Sequence, residues 1–214
     1  LYYNRDTNKS KTKSLRNFHN HIKSILIKSV SMAGDTLIDM AVGKAGDLFK
    51  WKEAMLSFVL GVDIYRDNIE NKIDGACVRY LDLRKKYNES IKALFVNGDS
   101  SLNIRSTQAF THKNDIMIIN SVFGNGSNDD LPKGIKNVFG IAIDGFNVSS
   151  CQFALHYFFK QKDILLNFLS NVTQCTAING YFIGTCYDGN LIFNDLESIE
   201  KGETISKFIN KKKV

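Results

Sequence analysis

The segment 37–51 (LIDMAVGKAGDLFKW) constrains the fold more than any other part of the sequence. An apolar run ends at Asp39, a loop of small residues with Gly43 and Gly46 follows, and an amphipathic segment comes next. This order predicts a strand, a tight turn and a helix, a unit typical of nucleotide-binding α/β proteins. We therefore expect the rest of the chain to support this loop.

Strand and helix patterns alternate along most of the chain. This alternation predicts an α/β fold with a mostly parallel central sheet, helices on both faces and a ligand site beyond the carboxyl ends of the strands. Residues 152–157 are predicted to form a turn, and Asn179-Gly180 a turn that leads into the last strand. The predicted strands are 36–41, 57–62, 91–96, 146–151 and 181–186, and the predicted helices begin at Ser14 and span 46–56, 67–87, 113–123 and 164–175.

The length of 214 residues is enough for one large domain with a substantial core. We predict a flexible basic arm over residues 1–13 and a single domain over 14–214. Residues 100–145 interrupt the alternation with a segment rich in Gly, Asn and Asp, so we interpret them as an insertion into that domain.

Positive charge is concentrated at the start of the chain. Residues 1–30 contain seven Lys or Arg side chains and one Asp, so they carry +6, which equals the net charge of the whole chain. A basic segment on a neutral body is typical of a protein that binds a phosphate-rich partner, most often nucleic acid. A solvated terminus would account for the same charges, so both interpretations stay open.

The four cysteines include no CxxC pair, which argues against a disulfide or a structural zinc site. No apolar run approaches the ~20 residues needed to cross a bilayer, and no signal peptide opens the chain. From the sequence we expect a cytosolic setting without membrane association.

Three acidic residues lie at or just after the ends of the apolar runs of the first three predicted strands. Asp63 ends the second strand and is placed to accept hydrogen bonds from two ribose hydroxyls. The loop at 41–46 lacks the dinucleotide spacing GxGxxG, which disfavours a nicotinamide cofactor but leaves dehydrogenase and methyltransferase both open. Asp39, Asp63 and Asp99 together can surround an amino group, a ribose and an adenine, and this favours a sulfonium cosubstrate that carries an amino acid and an adenosine.

Four sequence blocks then resemble one family, the messenger RNA cap guanine-N7 methyltransferases. LIDMAVGKAGDLFKW resembles its motif LDLGCGKGGDLxKW, FHNHIKSILI is similar to FNNxIKxxLI, VSSCQFALHYFF to QFxxHYxF, and NGYFIGT to GGYFIGT. The blocks occur in the family order and cover most of residues 14–188. The long insertion, with VFGNGS, is most similar to capping enzymes of large cytoplasmic DNA viruses, in which this domain belongs to a larger polypeptide.

The resemblance implies a Rossmann-like, class I S-adenosylmethionine-dependent methyltransferase fold that lacks its last strands. It implies transfer of a methyl group from S-adenosylmethionine to N7 of the 5′ guanosine cap of RNA by in-line displacement, with no metal and no residue that acts as nucleophile or base. Gln152, His156 and Tyr157 would position the reactants. The implied cosubstrate contacts are Lys23, Asp39, Ala41, Gly43, Asp63, Asp99, Ser100 and Gln152. The implied cap and RNA contacts are Asn20, Lys44, Asp47, Arg79, Phe153, His156 and Tyr157, with Asp47 as a brace.

The chain also departs from the family pattern. Ala41 and Ala45 replace glycines, and alanine fits there only if both positions avoid positive φ. His19 stands where the family has the first of two asparagines. Family members continue into strands that supply an acid for the guanine edge and an aromatic residue that closes the cap pocket. We find neither here, so we expect the C-terminal part of the domain to be missing.

The implied partners are capped RNA, other capping domains on the same polypeptide and, as a further candidate, a stimulatory subunit. The implied location is the cytoplasm, or a viral factory or virion. Two alternatives stay open, namely a methyltransferase of the same fold with another substrate and a non-catalytic RNA-binding or regulatory domain. The intact set of Lys23, Asp63, Asp99 and residues 152–157 argues against the second, since a binding module has no use for a cosubstrate pocket.

Overall fold

The computed structural model describes residues 12–87, 91–203, 208–209 and 212–213. Its strands are β1 Thr36–Asp39, β2 Phe58–Asp63, β3 Lys92–Asn97, β4 Phe146–Gln152, β5 Thr176–Thr185, β6 Phe208–Ile209 and β7 Lys212–Lys213. The first five form one sheet in the order β3-β2-β1-β4-β5, and all neighbouring strands in it run parallel. Strands β6 and β7 pair separately as an antiparallel ribbon. The predicted parallel sheet is confirmed.

Helices connect the strands of the five-stranded sheet. They are α1 Lys13–Val30, α2 Leu48–Glu53, α3 Arg66–Glu70, α4 Ala76–Lys86, α5 Lys113–Val122, α6 Lys133–Lys136, a 3-10 helix Leu155–Lys160, α7 Lys162–Cys175 and α8 Gly189–Leu196. Among the described residues, no helix combines the length and the apolar character needed to span a membrane.

Successive strand residues point to opposite faces of the sheet, and each face carries its own core. Leu37 and its neighbour in β2, Val59, share a buried cluster with Trp51 of α2. Ile38 and Leu60 share the opposite cluster, which includes Phe168 of α7. Helices α1, α2 and α4 therefore cover one face and α5 and α7 the other, as the alternation predicted.

Because the five strands are parallel, their carboxyl ends meet at one edge of the sheet. The strands end at Asp39, Asp63, Asn97, Gln152 and Thr185. Polar side chains thus terminate every strand of the sheet. This is the edge at which open parallel sheets bind ligands.

Two predicted element bounds on the amino-terminal half of the sheet are wrong. Strand β1 ends at Asp39 rather than at residue 41, because the Asp39 carboxylate accepts a 3.1 Å hydrogen bond from the Ala41 amide and starts the loop there. The helix predicted over 67–87 is two helices, α3 and α4. Asn71 breaks it, since its side-chain oxygen accepts bonds from the amides of Ile73 and Asp74. A Cβ at Gly75 would lie 2.6 Å from Asn71 backbone atoms, so a side chain does not fit at this break.

The carboxyl-terminal half corrects two further predictions. Asn179-Gly180 is part of β5 and not a turn before it, since the pairing steps from Phe146↔Thr176 to Val148↔Tyr181 at an irregularity that contains these two residues. Residues 152–157 do not form a simple turn either, because Gln152 ends β4 and the 3-10 helix begins at Leu155.

Candidate functional site

The loop that follows β1 is held at the carboxyl edge of the sheet by two carboxylates. The Asp39 carboxylate binds the Ala41 amide, and the Asp63 carboxylate accepts a 2.7 Å hydrogen bond from the Gly43 amide. Gly43 has a φ of +54°, which glycine adopts without strain. Ala45 has a φ of +52° and is fully buried, so the expectation that it avoids positive φ is wrong. Its methyl group packs in the core beneath the loop, and that packing offsets part of the backbone strain.

Asp63 uses both of its oxygens inside the protein. One accepts hydrogen bonds from the Tyr65 amide at 2.9 Å and the Asn68 side chain at 3.0 Å. The other accepts the Gly43 amide, and no second donor to it occurs among the described residues. This second oxygen keeps acceptor capacity for a ligand hydroxyl.

Asp39 lies 3% exposed at the end of β1. Burial is the main cause that raises the pKa of this carboxyl to about 7, and the negative charge of Asp47 raises it further. The Ala41 amide and Lys23 act in the opposite direction. A cationic ligand group beside Asp39 would favour its ionised form.

Asp99 and Ser100 follow β3 and lie next to the same loop. The Asp99 carboxylate accepts a 2.9 Å bond from the Ser101 amide. The Ser100 hydroxyl is buried and donates a 2.7 Å bond to the Met40 carbonyl, which connects the ends of β3 and β1. The geometry brings both residues to the predicted cosubstrate side.

Lys23 and Asn20 reach the loop from helix α1. Lys23 Nζ lies 2.7 Å from Oδ1 of Asp47, which is buried at the amino-terminal end of α2. Lys50 Nζ lies 2.8 Å from the same oxygen and donates a 3.0 Å hydrogen bond to Asn20 Oδ1. Asp47 thus braces the two helices against each other. Lys50 was not among the residues predicted for the site.

Lys44 and Arg79 lie together on the other side of the loop. Lys44 Nζ pairs with Asp74 at 2.6 Å and lies 3.9 Å from Asp67, and its side chain is 9% exposed. Arg79 donates a 2.7 Å hydrogen bond to the Lys44 carbonyl. Lys44 and Arg79, both implied cap and RNA contacts, are therefore neighbours, and the Lys44 ammonium is already engaged by carboxylates.

Gln152 ends β4 with both ends of its amide bound. Its nitrogen donates to the Ser150 hydroxyl at 3.0 Å, and its oxygen accepts a 2.9 Å bond from Thr185 at the end of β5. These bonds fix the orientation of the amide at the carboxyl edge, which suits the positioning role implied for Gln152.

A cluster of rings lies beyond the ends of β4 and β5. Phe153 has a φ of +56°, and its ring centroid lies 4.3 Å from that of His19 and 6.0 Å from that of Tyr187. The His156 ring lies 4.1 Å from Tyr157 and 5.8 Å from Tyr187. The structure therefore brings together Phe153, His156 and Tyr157, the three ring-bearing residues among the implied cap contacts. His19 and Tyr187 also belong to this cluster of rings. In the sequence, His19 stood out only as a departure from the family pattern, and Tyr187 did not stand out.

One comparison decides the family. The family model described as mRNA (guanine-N(7))-methyltransferase domain matches residues 2–211. The chain belongs to this family. The five-stranded parallel sheet with helices on both faces is accordingly the Rossmann-like core of a class I methyltransferase domain.

Relatives of this methyltransferase domain come from a giant virus and from eukaryotes. The probable mRNA-capping enzyme of Acanthamoeba polyphaga mimivirus is 29% identical over 94% of this chain and 16% of its own length. The mRNA cap guanine-N(7) methyltransferase 1 of Oryza sativa subsp. japonica is 30% identical over 87% of this chain and 42% of its own length. The corresponding Schizosaccharomyces pombe enzyme is 29% identical over 88% of this chain and 43% of its own length. The chain thus spans less than half the length of each of these relatives.

Proposed function

We propose that this chain transfers a methyl group from S-adenosylmethionine to N7 of the guanosine cap of RNA. The observation that carries the proposal lies at one edge of the sheet. There the loop after β1, held by the strand-end acids Asp39 and Asp63, shares the edge with a cluster of aromatic and imidazole rings. The first fits an adenosine with an amino acid attached, and the second fits a flat base. Membership of the cap methyltransferase family supports the same pairing of ligands.

The residues at and beside the loop after β1 fit S-adenosylmethionine, which supplies an electrophilic methyl group when bound. The buried Asp39 carboxyl complements an ammonium group, and Asp63 retains acceptor capacity for a ribose hydroxyl. Lys23 would bind the methionine carboxylate, Asp99 and Ser100 the adenine, and Ala41 and Gly43 would line the cosubstrate. Gln152 is fixed by hydrogen bonds at both ends and would hold the cosubstrate beside the second substrate.

The ring cluster would hold the cap guanine. Phe153, His156 and Tyr157 would form the wall against which the base stacks, and such stacking contributes roughly 1–3 kcal/mol per base. Lys44 and Arg79 would face the phosphate bridge, Asn20 would contact the cap from α1 and Asp47 would brace the loop. Because guanine N7 has a free lone pair at neutral pH, His156 positions the base and transfers no proton. Catalysis then depends on alignment and on electrostatics, with no metal.

The decisive experiment measures methyl transfer to RNA of one sequence, prepared with and without an unmethylated cap. With S-adenosylmethionine labelled in its methyl group, we expect label in capped RNA only, and nuclease digestion should release it as N7-methylguanosine. A metal chelator should leave the rate of methyl transfer unchanged. Transfer to uncapped RNA at a similar rate would instead indicate another substrate. Binding of S-adenosylmethionine without transfer to either RNA would indicate a non-catalytic domain.

We also propose partners for the chain. The mimivirus relative is described as a probable capping enzyme and is several times longer than this chain, so we propose that other capping domains share the polypeptide here too. The basic arm predicted over 1–13 would guide the RNA, and residues 1–11 lie outside the described part of the chain. A stimulatory subunit and a location in the cytoplasm, a viral factory or a virion stay predictions from the resemblance.

A further inference from the structure

Lys50 is a buried lysine that has no assigned role in the proposed methyl transfer. Its side chain is 11% exposed, and its ammonium lies 2.8 Å from Asp47 Oδ1 and 3.0 Å from Asn20 Oδ1. The Gly46 carbonyl lies 3.5 Å away. A buried ammonium is costly to keep charged unless nearby groups compensate it.

The compensation around Lys50 is incomplete. Lys23 Nζ lies 2.7 Å from the same Asp47 oxygen, so two ammonium groups share one carboxylate. Within the described residues neither contact has the alignment of a hydrogen bond, so charge holds the three side chains together. With Asp47 ionised, the three groups carry one net positive charge.

Asp39 is the other acid that acts on this group. The charge of Asp47 raises the pKa of Asp39 and the charge of Lys23 lowers it, so all three lie close enough to interact. Because the pKa of Asp39 lies at about 7, this carboxyl offsets only part of the excess positive charge near neutral pH. The cluster is therefore complementary to a ligand carboxylate.

We infer that Lys50 is a positioning residue for the cosubstrate: by neutralising Asp47 it leaves the charge of Lys23 available to the methionine carboxylate of S-adenosylmethionine. Without Lys50, the shared Asp47 oxygen would form a neutral pair with Lys23 alone. The inference rests on the proposed function and deepens its cosubstrate site. It assigns to Lys50 an electrostatic task that acts through Asp47 and Lys23.

A purely structural role for Lys50 predicts something different. Lys50 also links α1 to the loop through Asn20 and Gly46, and loss of that link would disturb the whole cosubstrate site. Two ligands separate these roles. S-Adenosylhomocysteine carries the carboxylate, whereas 5′-methylthioadenosine keeps the adenosine and the sulfur but lacks the amino acid.

The test is calorimetric titration of the 214-residue chain with both ligands. We expect Lys50→Met to weaken the affinity for S-adenosylhomocysteine about ten-fold or more and to change the affinity for 5′-methylthioadenosine less than about two-fold. The reason is that a charge-assisted contact is lost only with the first ligand. Lys50→Arg keeps the charge and should restore most of the affinity. Lys52→Met is the matched control, since Lys52 lies two residues along and stacks on Tyr87.

A double variant tests whether the negative charge of Asp47 causes the loss of affinity. In Lys50→Met/Asp47→Asn the charge of Asp47 no longer neutralises Lys23, so S-adenosylhomocysteine affinity should recover relative to Lys50→Met alone. In the transfer assay Lys50→Met should raise KM for S-adenosylmethionine and leave kcat within about two-fold.

Equal weakening of both ligands in Lys50→Met, or no recovery in the double variant, would overturn the inference in favour of a structural role. Unchanged binding of both ligands in Lys50→Met would overturn it as well. If the unaltered chain binds neither S-adenosylhomocysteine nor S-adenosylmethionine, the proposed function itself fails. Thermal melting shows whether Lys50→Met is folded, and where it is not, Lys50→Arg and the double variant still decide the question.

Discussion

The Gly43 amide donates a 2.7 Å hydrogen bond to the Asp63 carboxylate. This bond ties the loop after β1 to the end of β2, and it leaves that carboxylate oxygen with acceptor capacity. The other oxygen accepts hydrogen bonds from the Tyr65 amide and the Asn68 side chain. Asp63 therefore shapes the loop itself, in addition to the ribose contact that we propose for it. The shape of the binding loop and its affinity for a ribose depend on the same carboxylate.

Asp63→Ala should destabilise the protein and also weaken the binding of the cosubstrate. The substitution leaves the buried Gly43 amide without its acceptor, and we expect the free energy of unfolding to fall by about 2 to 3 kcal/mol. Urea denaturation measures this loss. The control Asn68→Ala removes a single donor and should cost no more than about 1 kcal/mol. Equal losses in the two variants would contradict the structural role of Asp63.

The sequence pattern predicted the sheet well because apolar runs separated by helical patterns mark the parallel strands. It marked Asp39 and Asp63 as acids that close apolar runs, and both end strands in the structure. It failed where a side chain ends an element early, as Asn71 does between α3 and α4, since such a bond depends on local geometry that periodicity does not record. The irregularity in β5 at Asn179-Gly180 was missed for the same reason, because these residues also form turns.

The candidate site was predicted as a set of residues but not as a set of contacts. The motifs indicated Lys23 and Asp47, but not that Lys50 shares the Asp47 oxygen. Tyr187 also gave no signal, since a single tyrosine after a strand is ordinary in sequence. Only the fold brings it beside Phe153, which is 34 positions earlier in the chain.

Ala45 offers a test of backbone strain in the loop. Its φ of +52° costs alanine about 1 kcal/mol or more, and Ala45→Gly relieves that cost while losing a buried methyl group of similar value. We therefore expect a change in unfolding free energy below about 1 kcal/mol. Ala76→Gly is the control, because Ala76 is equally buried but begins helix α4 without a positive φ, so glycine there loses a methyl group worth about 0.8 kcal/mol with no strain to relieve. Similar losses at both positions would contradict the strain at Ala45.

Asp39 should make stability depend on pH in an unusual direction. Its folded-state pKa of about 7 lies above its ordinary value of 3.8, so the folded protein holds this proton more tightly than the unfolded chain does. Stability from this group is therefore present at low pH and is lost as pH rises from about 4 to about 7. Asp39→Asn removes the cost and should stabilise the protein at pH 8 by up to roughly 4 kcal/mol. Thermal or urea unfolding should show the gain shrinking below pH 7 and vanishing near pH 4. A gain that is constant with pH would contradict this assignment.

Tyr187 should contribute to cap binding, because its ring lies within 6.0 Å of the Phe153 and His156 rings and is 53% exposed. Tyr187→Ala should weaken the affinity for an unmethylated cap dinucleotide about ten-fold, since a lost stacking contact is worth roughly 1–3 kcal/mol. Tyr187→Phe keeps the ring and should bind nearly as well as the unaltered chain. Fluorescence titration with the dinucleotide measures the effect, and S-adenosylhomocysteine affinity should not change in either variant. If Tyr187→Ala and Tyr187→Phe weaken the cap equally, the ring does not stack on guanine and the hydroxyl group is what matters.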